Sequence, residues 1–233
     1  LYVFYHMKKK ILFILGTRPE AIKLAPIISQ LKSNNSNFET FVCSTGQHKE
    51  MLDQVVDFFN IKIDYDLGLM TKNQTLSQLS SKILSSLDEI IKKVKPDYIF
   101  VHGDTTTSTF SAISAFYHQI TVCHVEAGLR TDNKYSPFPE EMNRSITGRI
   151  ADYHFAPTIQ AKKNLINENI HEDNIFITGN TVIDALLYAV KKLENYSNNE
   201  IDYLNETIDD RKKLILVTGH RRENFGAGFE NIC

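Results

Sequence analysis

The sequence predicts an α/β protein built on a parallel β-sheet with helices on both faces. Short apolar runs alternate along the chain with longer segments in which apolar residues recur at the helical period. The short runs are mostly apolar, which is typical of parallel strands buried on both sides. The intervening helical segments are the crossover connections that parallel strands require.

The predicted elements follow one another in regular order. The helix at 75–95 has the clearest pattern, because Leu76, Leu79 and Ile83 begin a single apolar stripe that continues to its end. Pro19 suits the first turn of the helix that begins near residue 20. The predicted strands are at 10–15, 40–44, 98–101, 121–125, 153–156, 174–177 and 214–218. The predicted helices are at 20–32, 49–59, 75–95, 106–117 and 182–193.

The chain is expected to contain one domain and the beginning of another. A polar stretch at 195–199 is suited to a linker, and the strand pattern resumes at 214–218. We predict a first domain at 7–185, followed at 186–233 by a linker and an incomplete second domain. Met7 is the expected start, and residues 225–233 have the pattern of a helix that has just begun.

Composition and charge exclude several classes of protein. The 233 residues include 28 acidic and 26 basic side chains, and the formal charge of −2 gives no reason to expect nucleic-acid binding. Three scattered cysteines are too few for a disulfide framework or a metal-ligand cluster. No apolar run approaches the roughly 20 residues of a membrane span, and the run at 11–15 is too short for a signal peptide. We therefore expect a cytoplasmic protein with no membrane or nucleic-acid partner and no bound metal.

Charged and polar residues collect where the predicted strands end. Five strands run into segments that carry such side chains and contain or adjoin a glycine, namely 16–18, 46–48, 102–105, 124–126 and 219–222. Ligands of open α/β sheets bind outside the carboxyl ends of the strands. The sequence therefore predicts a ligand site at this edge.

Each of these residues also has an ordinary structural explanation. Asp104 is placed to cap the helix that follows it. Glu126 could form an ion pair with Arg130, four residues later. Glu140 and the acidic residue after it suit the first turn of a helix. Two histidines in apolar strands are equally well explained as core residues, namely His102 and His124.

Considered together, the strand-end residues form two complementary groups. Asp104, Glu126 and Glu140 supply carboxyl groups that can act as general acids or bases, and mutual repulsion can hold one of them protonated. The second group is basic and suits an anion, with members Arg18, Lys23, His220, Arg221 and Arg222. The chain contains neither a GxxxxGK[ST] phosphate loop nor a GxGxxG fingerprint. Acid–base groups beside an anion site suggest a nucleotide-sugar enzyme, with transfer, hydrolysis and epimerisation all open.

Six segments together resemble the non-hydrolysing UDP-N-acetylglucosamine 2-epimerases. They are GTRPEAIK at 16–23, TGQH at 45–48, HGDT at 102–105, HVEAGLR at 124–130, PFPEEMNR at 137–144 and HRREN at 220–224. The resemblance implies a glycosyltransferase-B type fold with two Rossmann-like domains, of which this chain holds the first and the start of the second. It implies interconversion of UDP-GlcNAc and UDP-ManNAc for surface polysaccharide synthesis, by anti elimination of UDP and re-addition. It also implies that no cofactor is needed and that the full-length protein is a homodimer.

The resemblance also implies roles for individual residues. Asp104, Glu126, Glu140 and His220 match catalytic positions of the family, although it does not decide which carboxylate takes the C2 proton. Arg18, Lys23, Asn143 and Arg144 match positions that contact the substrate. Gln47 and His48 match a motif associated with a second, regulatory UDP-GlcNAc.

Three alternatives stay open at this point. A hydrolysing 2-epimerase shares the fold and releases free ManNAc, although Pro19 and the residues at 21–23 favour the non-hydrolysing branch. A more decorated UDP-sugar, such as a 2,3-diacetamido uronic acid, would not be distinguished by these motifs. The chain could also be an inactive truncated fragment, because much of the UDP site is expected beyond residue 233. A plain glycosyltransferase is disfavoured, since it has no need for three carboxylates and this histidine.

Overall fold

The computed structural model describes residues 7–46, 49–209 and 211–216, and these residues include a parallel sheet flanked by helices. The strands in the described residues are β1 (Lys9–Leu15), β2 (Phe38–Ser44), β3 (Tyr65–Asp66), β4 (Tyr98–His102), β5 (Thr121–Val125), β6 (Tyr153–Ala156) and β7 (Ile175–Ile177). The helices are α1 (Arg18–Ser33), α2 (Lys49–Phe58), α3 (Leu76–Val94), α4 (Thr106–Tyr117), α5 (Glu140–Ile150), α6 (Ile159–Asn167), α7 (Val182–Leu193) and α8 (Asn199–Thr207). A short 3-10 helix spans Glu172–Asn174.

All the strand pairs are parallel, and the order across the sheet is β3-β2-β1-β4-β5-β6-β7. The predicted fold class is therefore confirmed. The order reverses direction between β1 and β4, which are adjacent although β2 and β3 lie between them in the sequence. Such a switch point is where ligands of open α/β sheets bind.

The alternation of side chains along β1 explains why its sequence is apolar from Ile11 to Leu15. Leu12 and Ile14 face α3 and α4, and pack with the stripe that includes Ile83 and Leu87. The other face of the same strand, which includes Phe13, packs against α1 and α2. Because successive residues point to opposite faces, both faces must be apolar for both helical layers to pack.

Gly16 allows three elements to meet at the carboxyl edge of the sheet. A Cβ atom at this position would lie 2.4 Å from Oγ1 of Thr45 and 2.5 Å from Oγ1 of Thr107. Those two hydroxyl groups are themselves hydrogen-bonded at 3.0 Å. The turn after β1 therefore packs directly on the end of β2 and the start of α4, which a larger residue would prevent.

The described residues differ from the sequence prediction at five places. β3 has only two residues, too few to show a period, and α6 was not predicted. Only the acidic first turn of α5 was anticipated. α8 begins at the end of the stretch that was expected to be a linker, and Asn198 caps it by accepting a hydrogen bond from the backbone N–H of Ile201 at 2.9 Å. Residues 214–216 form no strand and are exposed, while residues 217–218 lie outside the described part of the chain.

The chain divides into two compact units between Val190 and Lys191. The first unit contains the whole sheet and α1–α6, and the buried apolar residues of the described chain end at Ala185. The domain boundary at residue 185 stays a prediction. None of the described helices is both long and apolar enough to cross a membrane.

Candidate active site

The candidate site lies at the edge of the sheet where the parallel strands end. Asp104 follows β4, Glu126 follows β5, and Asn180 follows β7. Lys23 lies on α1, which begins after β1. The strand order brings these segments together although they are far apart in the sequence.

Glu126 is held by two donors on a single carboxylate oxygen. Its Oε2 accepts from Nζ of Lys23 at 2.6 Å and from Nδ2 of Asn180 at 2.7 Å. The Glu126 side chain is only 13% exposed. Its backbone φ of 62° lies in the left-handed region, which is strained for a residue with a side chain. These contacts hold Glu126 in a position that its own backbone preference does not favour.

The surroundings of Glu126 favour its charged form. Burial pushes the pKa of the carboxyl upward, but His102, Lys23 and Asn180 outweigh burial and hold the pKa below its usual value. His102 lies close, with its Nε2 at 3.9 Å from Oε2 of Glu126. Burial lowers the pKa of His102 to about 4, so this imidazole is neutral at neutral pH. The charge that faces Glu126 at neutral pH is therefore the ammonium group of Lys23.

The surroundings of Asp104 favour its protonated form, in contrast to those of Glu126. Burial raises the pKa of its carboxyl above the usual value, and the nearby carboxylates of Glu140 and Glu126 add to that effect. Arg144 opposes the shift by donating a hydrogen bond from its guanidinium group to Oδ2 of Asp104. Asn143 donates from Nδ2 to the backbone carbonyl of Asp104 at 3.0 Å. Two neighbouring carboxyl groups thus differ in how tightly they hold a proton.

Glu140 begins α5 and lies near enough to Asp104 to affect its pKa. Its Oε2 is buried and has no hydrogen-bond partner among the described residues. A buried carboxylate oxygen of this kind requires a partner, because leaving it unsatisfied is costly. Its position fits the predicted acidic first turn, and its unsatisfied oxygen fits a ligand-facing role.

Of the other predicted site residues, one lies in the described part of the chain and the rest lie outside it. Arg18 is the first residue of α1 and lies exposed at the same edge of the sheet. The remaining predicted residues lie outside the described part of the chain, namely Gln47, His48, His220, Arg221 and Arg222. Among the described residues, no group of three or more potential ligands is placed to hold a metal ion.

Two of the ordinary structural explanations are wrong. The residue that caps α4 is Thr105, whose Oγ1 accepts from the backbone N–H of Ser108 at 3.0 Å, so Asp104 is left to face the site. Glu126 pairs with Lys23 rather than Arg130. Arg130 instead forms a bidentate ion pair with Glu168, in which Nε donates to Oε1 at 2.6 Å and Nη2 donates to Oε2 at 2.7 Å. The core assignment of the two histidines is confirmed, because His102 is 3% and His124 is 1% exposed.

The sequence prediction missed two residues at this edge. Asn180 follows a strand and a glycine, which is the same signal that selected the other candidates. Glu20 was part of a recognised segment but received no role. It is 1% exposed and accepts hydrogen bonds from the backbone N–H groups of Gly16 and Thr17, at 2.8 Å and 2.7 Å. It also accepts from the hydroxyl groups of Thr105 and Ser108, at 2.6 Å and 3.0 Å.

Comparison with known proteins identifies the family. Residues 30–233 match the family described as UDP-N-acetylglucosamine 2-epimerase. The chain belongs to this family. It is 54% identical to the UDP-N-acetylglucosamine 2-epimerase of Bacillus subtilis strain 168, over 97% of this chain and 58% of that protein. It is 51% identical to the Campylobacter jejuni enzyme of the same name, over 97% of this chain and 60% of that protein.

Solved structures of epimerases have the same fold. The Neisseria meningitidis UDP-GlcNAc 2-epimerase bound to UDP-GlcNAc matches with a TM-score of 0.87 and 49% identity, over 96% of this chain and 60% of that one. The Methanocaldococcus jannaschii UDP-GlcNAc 2-epimerase in complex with UDP-GlcNAc and UDP matches with a TM-score of 0.78 and 38% identity, over 86% and 54%. The galactosyltransferase WaaB, with 14% identity and a TM-score of 0.53, shares the fold alone. The chain spans less than two thirds of the length of these epimerases.

Proposed function

We propose that this chain supplies the acid–base half of a UDP-N-acetylglucosamine 2-epimerase, which interconverts UDP-GlcNAc and UDP-ManNAc for surface polysaccharide synthesis. The observation that carries the proposal is the pair of neighbouring carboxyl groups whose pKa values are displaced in opposite directions, in a chain of this family. Burial raises the pKa of Asp104, whereas Lys23 helps to hold the pKa of Glu126 down. Environments that separate two carboxyl groups in this way are typical of an acid–base pair.

The proposed reaction proceeds by elimination and re-addition. A base removes the proton from C2 of the sugar while the bond between C1 and the diphosphate oxygen breaks, which leaves 2-acetamidoglucal and UDP. UDP then adds back to C1, and C2 receives a proton on the opposite face. The C2–H bond is weakly acidic, so a positioned base is required. Negative charge grows on the departing diphosphate, so cationic groups near it lower the barrier.

The remaining residue roles follow the family resemblance. Lys23, Asn143 and Arg144 would contact the UDP-sugar, and they already lie against Glu126 or Asp104. Arg18, at the same edge of the sheet, would be a fourth contact. His220 is proposed to act near the leaving phosphate, and Gln47 and His48 to hold a second, regulatory UDP-GlcNAc.

We also propose a cytoplasmic homodimer that needs no cofactor. The dimer rests on the family resemblance, and light scattering of the purified full-length protein tests it. The cytoplasmic location fits the two buried free thiols, Cys43 and Cys123, since disulfide bonds are rare in reducing compartments.

Exchange of the C2 hydrogen in deuterated water tests the proposed reaction. The 233-residue chain and a version extended with the C-terminal part of the Bacillus subtilis relative would each be incubated with UDP-GlcNAc and followed by proton NMR. We expect the extended protein to incorporate deuterium at C2 and to form UDP-ManNAc. We expect little turnover from the 233-residue chain, because the relatives are longer and much of the UDP site is expected beyond it.

The products distinguish the alternatives. Free ManNAc together with UDP would support the hydrolysing epimerase instead. Exchange with a 2,3-diacetamido uronic acid derivative of UDP, but not with UDP-GlcNAc, would support the decorated substrate. Absence of C2 exchange in the extended protein with either sugar would contradict the proposal.

A further inference from the structure

We propose that Asn180 is a positioning residue that fixes both the orientation and the charge of Glu126. The Nδ2 group of Asn180 donates a hydrogen bond to Oε2 of Glu126 at 2.7 Å. Asn180 was not among the residues that the sequence motifs selected. The position and the charge of Glu126 can be inferred without the proposed function. Only the use of Glu126 as an acid or base in the reaction rests on that function.

The orientation of the Asn180 amide follows from its second contact. Its Oδ1 accepts a hydrogen bond from the backbone N–H of Val182 at 3.0 Å. A backbone N–H cannot bond to the NH₂ end of an amide, so the carbonyl end must face Val182. The NH₂ end is thereby directed at Glu126. Asn180 is tied to the start of α7 on one side and presents a neutral donor to the carboxylate on the other.

Both donors to Glu126 lie on one oxygen, which leaves the other for a ligand. Lys23 and Asn180 both bind Oε2. Gly103 lies beside the other oxygen, Oε1, and even a Cβ at that position would be 4.0 Å from it, which is ordinary van der Waals distance. Glu126 also has the left-handed backbone conformation described above, and strained residues keep such a conformation only where their surroundings hold them. Asn180 and Lys23 are the described contacts that hold the side chain.

The charged and titratable groups around Glu126 come from several elements. Lys23 approaches from α1, His102 from the end of β4, and Asp104 from the turn after β4. Lys23 supplies the positive charge that faces Glu126 at neutral pH, while burial acts against ionisation of Glu126. Asn180 stabilises the carboxylate by a hydrogen bond from a neutral donor. Without Asn180, His102 and Lys23 are left to oppose the effect of burial on the pKa of Glu126.

Two substitutions separate the positioning role from a structural one. Asn180→Asp keeps the size of the side chain and an oxygen that can accept from Val182, but replaces the donor to Glu126 by a second carboxylate. Asn180→Ala removes both contacts. Asn198→Asp is the matched control, because Asn198 also accepts from a backbone N–H at a helix start but belongs to α8.

The measurement is the ¹³C NMR titration of the Glu126 carboxyl in the 233-residue chain, without substrate. The resonance is assigned by its loss in Glu126→Gln. We expect Asn180→Asp to raise the titration midpoint of Glu126 by at least about one pH unit, which is a tenfold increase in proton affinity. We expect Asn180→Ala to raise the midpoint by less. Asn198→Asp is expected to leave the midpoint unchanged.

The outcomes are distinct from those of the exchange assay. A midpoint in a folded Asn180→Asp chain that stays within about 0.3 pH unit of the parent would overturn the inference. The titration requires no turnover, so a raised midpoint supports the positioning role even if the extended protein proves to lack C2 exchange. That second result would contradict the proposed function alone.

Discussion

Asp104 and Glu126 lie at the ends of neighbouring strands, yet their local surroundings separate them chemically. Arg144 partly offsets the burial of Asp104, and the pKa of that carboxyl stays raised. Lys23, His102 and Asn180 more than offset the burial of Glu126, and its pKa is lowered. The difference arises from the number and type of donors on each carboxyl group, which is a property of single contacts.

The role of Asp104 is tested by Asp104→Asn in the extended protein. The substitution keeps the shape of the side chain and removes the ionisable group, so we expect turnover to fall by about 10²- to 10⁴-fold. UDP binding is expected to change far less. Steady-state kinetics together with calorimetric UDP titration measure both quantities. Asp173→Asn, at an exposed carboxylate, is the control, and near-normal turnover in Asp104→Asn would remove Asp104 from the catalytic residues.

Elements are tied to one another at the carboxyl edge by buried polar groups. Glu20, in the first turn of α1, accepts from the turn after β1 and from the first turn of α4. Burial raises the pKa of this carboxyl, although its four donors act in the opposite direction. The network holds the segments that carry Arg18 and Asp104 in a fixed relation.

The contribution of this network is measured by Glu20→Ala. The substitution leaves two backbone N–H groups and two hydroxyl groups without their acceptor, so we expect the free energy of unfolding to fall by about 3 kcal/mol or more. Urea denaturation of the 233-residue chain measures the change. Glu39→Ala removes a half-exposed carboxylate and is expected to cost no more than about 0.5 kcal/mol. Equal losses in the two variants would show that the Glu20 network does not stabilise the fold.

A buried pair of histidines lies between β5 and β6, and we expect it to make the sheet sensitive to acid. His124 and His154 are directly opposite each other in the strand register, with ring centres 6.4 Å apart. Burial lowers the pKa of His124 to about 3 and that of His154 to about 4. Because the folded-state pKa values lie below the unfolded value, stability is complete above about pH 6.5 and is lost as the pH falls toward them.

We expect His154→Leu to reduce this acid sensitivity. A displacement from 6.5 to about 4 corresponds to roughly 3 kcal/mol of unfolding free energy that the parent loses and the variant keeps. Urea unfolding at several pH values between neutral and about pH 4 gives the change of unfolding free energy with pH for each chain. His171→Gln, at an exposed histidine, is expected to follow the parent. Parallel curves for His154→Leu and the parent would contradict the prediction.

At the scale of the whole molecule, the three buried apolar clusters found among the described residues lie entirely within the first compact unit. We therefore expect a piece covering residues 7–190 to fold by itself and to unfold cooperatively in urea, with a midpoint close to that of the longer chain. A piece ending at residue 150 lacks β6 and β7, so it leaves the edge of β5 unpaired and is expected not to fold. Non-cooperative unfolding of the 7–190 piece would show that its core is incomplete.

The long elements could be predicted from the sequence because their patterns are set by burial alone. α3 has a full apolar stripe and β1 is buried on both faces, so each pattern extends over enough residues to be recognised. β3 and α6 escaped prediction because they are short, and α5 because it is polar over most of its length. α8 was assigned in part to a linker because its helix depends on a cap and not on an apolar face.

The sequence by itself determined the class of fold, and it predicted the edge of the sheet that would bind a ligand and the carboxyl groups that we propose act there. These follow from local patterns, since a strand end with a glycine and a carboxylate is visible in a few adjacent residues. Only the tertiary structure decided the partners: Lys23 and Asn180 lie 103 and 54 residues from Glu126. The order of the parallel strands brings these segments together, and the sign of each pKa shift depends on which donors meet which carboxylate there.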